Sequence, residues 1–92
     1  MNKVLIVDDE DLARKKIRRF LEDKSTRESI SFEIFEAQNG LQALEIIETE
    51  KPNIVFLDIE MPEMNGMDLI NALPDPQFHL IFQTAYSEYA VN

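Results

Sequence analysis

Asp8, Asp9 and Glu10 follow the apolar run Val4-Leu5-Ile6-Val7, and Asp58 follows Ile54-Val55-Phe56-Leu57. Thr84 stands one residue beyond Leu80-Ile81-Phe82. A carboxylate is a recognised nucleophile, including towards phosphorus. Carboxylates crowded together repel unless they share a proton or a cation. Oxygen ligands of this kind suit a hard divalent ion. The residue types therefore propose a phosphorylation site: a cation held by acids, one carboxylate left to react, and a hydroxyl beside it.

That chemistry requires the three segments to meet. A run of about four apolar residues bounded by polar ones reads as a strand buried on both faces. Parallel strands in an open α/β sheet carry their carboxyl ends to one rim, where ligands bind. The spacing predicts a first strand over Lys3 to Val7 and a first helix with Ala13, Ile17, Phe20 and Leu21 facing inward. The polar stretch Lys24 to Ser29 reads as a loop. Ile30, Phe32 and Ile34 alternate with polar residues, as in a half-buried edge strand. Asn39-Gly40 breaks the chain before a second helix that turns Ala43, Leu44 and Ile47 inward and stops before Pro52, because the residue preceding a proline avoids the helical region. A third strand over Ile54 to Leu57, a loop from Asp58 to Gly66, a third helix over about Met67 to Leu73 and a fourth strand over Phe78 to Gln83 complete the pattern. Ser87 and Glu88 look like the start of a further helix. Alternating strands and helices predict parallel βαβ units with right-handed crossovers.

The chain has 92 residues, enough for one domain with a single core. Its net charge is −9, an unfavourable balance for binding nucleic acid, which depends on neutralising phosphates. Every lysine and arginine lies at or before Lys51. There is no cysteine, hence no disulfide framework or thiolate site, and no apolar stretch approaches a membrane span. These features point to a cytoplasmic location.

Val-Asp-Asp-Glu at positions 7–10, Leu-Asp-Ile-Glu-Met-Pro-Glu-Met-Asn-Gly at 57–66 and Thr84-Ala85 together resemble the receiver domain of bacterial two-component response regulators. The central loop is the most specific part of the match. The resemblance implies an open, doubly wound parallel sheet of flavodoxin-like type, order 2-1-3-4 for the strands present, over one domain at residues 1–92. It implies Asp58 as phosphoacceptor. It implies Mg²⁺ held directly by Asp9, through water by Asp8, by Asp58 and by the backbone carbonyl of Glu60. Thr84 matches the switch hydroxyl. A sensor histidine kinase is the implied partner, docking on helix one with Leu12 and Lys16. The segment from Phe82 to Asn92 resembles receivers of the LytTR type, whose DNA-binding domain is separate, so transcription regulation is the implied output and direct nucleic-acid binding by this chain is not expected.

The family pattern includes a lysine on a fifth strand, and an aromatic switch residue there; this chain has no lysine after Lys51. The expectation is a C-terminally truncated receiver lacking the fifth strand and helix. Strand four then becomes an apolar edge, a template for self-association.

Other readings of the same residues stand beside these. Asp8 to Asp11 could serve only the positive end of helix one. Arg14, Lys15, Lys16, Arg18 and Arg19 read as a solvated basic face. His79, without a second ligand, reads as structural, and Tyr86 and Tyr89 as packing at a helix start. A phosphate-independent interaction module and a haloacid-dehalogenase-like phosphohydrolase are the competing functions. The latter wants a second Asp where this chain has Glu60.

Overall fold

The computed structural model describes residues 2–58, 71 and 78–83. Within them the order is β1 (Asn2–Val7), α1 (Asp11–Glu28), β2 (Phe32–Ala37), α2 (Gly40–Glu50), β3 (Ile54–Asp58) and β4 (His79–Gln83). The strands form one sheet in the order β2-β1-β3-β4, with every neighbouring pair parallel. This is the expected order and class. Of the expected third helix only Asn71 is described, in helical conformation. The loop after Asp58, Thr84 and the helix start at Ser87 lie outside the described residues.

The sheet is covered on both faces because its central strand is apolar on both. Val4 and Ile6 of β1 pack with Phe56 against Ile17 and Leu21 of α1. Leu5 and Val7 pack with Val55 and Leu57 against Ala43 of α2, with Leu44, Ile46 and Ile47 alongside. Val4 to Val7 are each no more than 1% exposed. Burying one such side chain contributes about 1.5–3 kcal/mol, so β1 is the axis of the core. β2, an outer strand, is only half-buried over Phe32 to Phe35.

The edges of the sheet's amino-terminal rim meet at Asn53. Its N–H donates to the Lys3 carbonyl at 2.8 Å, its Oδ1 accepts from the Lys3 N–H at 2.9 Å, and its carbonyl accepts from the His79 N–H at 2.8 Å. One residue thus ties β1, β3 and β4 together. His79 takes part through its backbone, and its side chain is exposed.

Helix α2 starts where Asn39 accepts the Gln42 N–H on its side chain at 2.8 Å, a standard N-cap. It ends at Lys51, which takes a left-handed conformation (φ 48°) before the buried Pro52.

Three expectations for helix one are corrected. Lys24 to Glu28 are helical, and it is Ser29 (φ 55°) that ends the helix. The polar turn is held by Lys24–Glu28 at 2.7 Å, Asp23–Arg27 at 3.3 Å and the Thr26 hydroxyl donating to the Glu22 carbonyl at 3.1 Å. Phe20 does not face the core but is 56% exposed; Leu21 takes the inward position. The basic residues are not one solvated face, because Arg14 is buried. Among the described residues, no helix is long and apolar enough to cross a membrane.

Candidate functional site

The carboxyl end of β1 emerges from the core as Asp8, still only 6% exposed. Its N–H donates to the Ala37 carbonyl of β2 at 3.1 Å. Its Oδ1 accepts the Glu10 N–H at 2.9 Å, which folds the chain sharply towards α1. Carboxylate oxygens of Asp8, Asp9 and Glu10 lie within 4.8 Å of one another. Burial raises the Asp8 carboxyl above its ordinary value; the Glu10 N–H opposes this, while the charges of Asp9 and Glu10 add to it.

Asp58 comes to the same rim. Val7 pairs with Leu57, so Asp8 and Asp58 are the next residues on adjacent parallel strands. Asp58 is half-buried at the last position of β3 and registers with Gln83 of β4, the residue before Thr84. The strand pairing therefore brings the Asp8–Asp9 segment and Asp58 side by side, as the rim argument requires. Glu60 and Thr84 lie outside the described residues.

The donor set suits a small hard cation. It consists of oxygen ligands only, gathered closely, with one member buried and destabilised by its neighbours' charge. Glu10 stands in the cluster with Asp8 and Asp9, although the family resemblance assigns it no ligand role.

Two residues of this region were not foreseen. Arg14 Nη1 donates to the Asp8 carbonyl at 2.7 Å, Arg14 Nε donates to Glu36 Oε1 at 3.0 Å, and Arg14 also pairs with Asp11. Arg18 Nε donates to Glu36 Oε2 at 2.8 Å. Burial pushes the Glu36 carboxyl up, but the hydrogen bonds and charges of Arg18 and Arg14 outweigh it and hold it below its ordinary value. No sequence signal joins Glu36 to Arg14; only the packing of α1 beside β2 does. Of the basic cluster, Lys15, Lys16 and Arg19 are exposed beside Leu12, which is 72% exposed.

Residues 4–92 match the response regulator receiver domain. The chain belongs to that family. An uncharacterized response regulatory protein of Yersinia pestis is 41% identical over the whole chain, which covers 37% of that protein. The transcriptional regulatory protein BtsR of Escherichia coli is 38% identical, again over the whole chain and 37% of the relative. The chain thus spans little more than a third of these curated relatives. Among solved structures, the MaeR response regulator bound to beryllium trifluoride superposes with a TM-score of 0.81 at 25% identity, over 92% of this chain and 68% of that one. A receiver domain is a signalling unit, not a catalytic enzyme, so the phosphohydrolase alternative falls away.

Proposed function

We propose that residues 1–92 form the phosphoacceptor domain of a two-component response regulator, with Asp58 receiving a phosphoryl group from a sensor histidine kinase. The observation that carries this is the β1–β3 pairing, which sets Asp58 beside the acidic cluster at one rim. An Asp58 carboxylate oxygen attacks phosphorus, the P–N bond of the donor phosphohistidine breaks, and an acyl phosphate results. Asp9, Asp8, Asp58 and the Glu60 carbonyl would hold Mg²⁺. When bound, the ion neutralises charge on the transferring phosphoryl group. Thr84 follows the Gln83 partner of Asp58 and donates its hydroxyl to the phosphoryl oxygens.

The kinase docks on α1, where exposed Leu12 and Lys16 offer an apolar contact and a charge. The output is transcription regulation, supported by relatives described as transcriptional regulatory proteins; its LytTR type and cytoplasmic setting rest on the resemblance of residues 82–92 and on composition.

Labelling by acetyl phosphate tests the central claim. Label is expected on the chain with Mg²⁺, not without it, and not on Asp58→Asn. Equal labelling of Asp58→Asn would remove Asp58 from its role.

A further inference from the structure

The backbone of Asp8 is gripped on both sides by one closed ring. Its N–H reaches the Ala37 carbonyl, and its C=O accepts from Arg14 Nη1. Arg14 Nε reaches the Glu36 carboxylate, and Glu36 is joined to Ala37 by the chain itself. Arg18 holds the second Glu36 oxygen. Arg14 is 9% exposed, and its donors are distributed over Asp8 just beyond β1, Glu36 of β2 and Asp11 in the first turn of α1. Burying a guanidinium is costly unless its donors are used. One of them, Nη1, holds the carbonyl of the peptide that joins Asp8 to Asp9, the two acids whose spacing a bound cation would sense, while the others anchor the guanidinium to Glu36 and Asp11.

We propose that Arg14 is a positioning residue for the acidic cluster: by holding the Asp8 carbonyl and Glu36 together, it fixes the Asp8–Asp9 peptide and so sets the affinity of the rim for a divalent cation. This rests on the reading of that rim as a cation site. The carbonyl of Asp8 accepts from Arg14, and the carboxylates of Asp8, Asp9 and Glu10 gather beside it. Ligand sets act at full strength only when held to within about 0.5 Å of their working geometry. The forked guanidinium reaches two acceptors on different elements, whereas a lysine offers a single point of donation.

The alternative is that Arg14 only stabilises the fold, and two substitutions separate these roles. Arg14→Met removes the grip on the Asp8 carbonyl. Glu36→Gln weakens the ion pair but keeps an acceptor for Arg14 Nε, so the ring persists. Mg²⁺ titrated calorimetrically into the folded chain is expected to bind Arg14→Met about tenfold more weakly, the usual scale for groups that orient ligands. Glu36→Gln should stay within about twofold of the unsubstituted chain while losing stability, and Arg14→Lys should fall between. Unchanged affinity in folded Arg14→Met, or affinity that falls in step with stability across both substitutions, overturns the proposal. Should Arg14→Met not fold, Arg14→Lys decides: a loss of at least about threefold supports positioning, and unchanged affinity overturns it. An unsubstituted chain that binds no Mg²⁺ overturns the cation-site reading itself, together with this one.

Discussion

Val7 of β1 stands in register with Leu57 of β3, and on each strand the following residue, Asp8 or Asp58, is an acid. Neighbouring strands lie about 4.8 Å apart, so the acids are separated laterally by one strand spacing. Their juxtaposition is a property of the core below them: the four residues before Asp8 and the three before Asp58 are almost wholly enclosed.

Truncating that support is costly. Leu5→Ala should lose about 2–5 kcal/mol, because a fully buried side chain leaves a cavity between β1 and α2. The midpoint of urea unfolding measures the loss, and a value under about 1 kcal/mol would contradict the assigned packing.

Asp8→Asn separates stability from cation binding. It removes a buried charge facing Asp9 and Glu10 but keeps the oxygen that accepts the Glu10 N–H. Without metal, the substituted chain should be the more stable of the two. The unsubstituted chain should gain about 2.7 kcal/mol when Mg²⁺ reaches a hundred times its Kd, a gain EDTA reverses. Asp8→Asn should lose most of that gain. Thermal melts with Mg²⁺ and with EDTA provide both comparisons.

The Glu36 pairing predicts a pH dependence with a definite sign. Its carboxyl is lowered in the folded chain, so folding favours the charged form. The stabilisation is fully present above the ordinary glutamate value of about 4.3 and is lost as pH falls through the lowered folded value. Glu36→Gln should therefore be less stable than the unsubstituted chain by about 1 kcal/mol near neutrality, modest because the Glu36 side chain is 31% exposed. The difference should shrink on acidification; urea titrations at several pH values check it. A difference that grows towards acid would show that the Arg14 and Arg18 bonds do not govern this carboxyl.

The two faces of α1 give a direct contrast. Phe20→Ser should change stability by no more than about 0.5 kcal/mol, since the ring is largely exposed. Leu21→Ala, at a position 3% exposed, should cost about 2–5 kcal/mol. A reversal of these two values in urea unfolding would restore the inward orientation that apolar spacing alone suggested for Phe20.

The strands were legible because four consecutive apolar residues admit few other placements, and their order came with the family resemblance. Asp8, Asp9 and Asp58 were legible because each strand stops at an acid. Phe20 was misplaced because apolar type does not specify a face when the adjacent Leu21 can take the same pocket. The last turn of α1 looked like a loop because Lys24 to Glu28 carries no apolar stripe; its support is ion pairs and a hydroxyl bond along the helix. Arg14 was hidden for a different reason. An arginine in a basic run defaults to solvent, and its partner Glu36 lies 22 residues away on a strand whose neighbour only the fold reveals.

Asn53 ends up controlling alignment at a distance. Because it tethers Lys3 and His79 at the opposite rim, it sets how far each strand has advanced by the time it reaches Asp8, Asp58 or Gln83. A slip of a single position there would turn every side chain of the displaced strand over to the other side of the sheet and carry its terminal acid out of step with its neighbour. An amide at one end of the molecule thus acts as a gauge for the chemistry at the other.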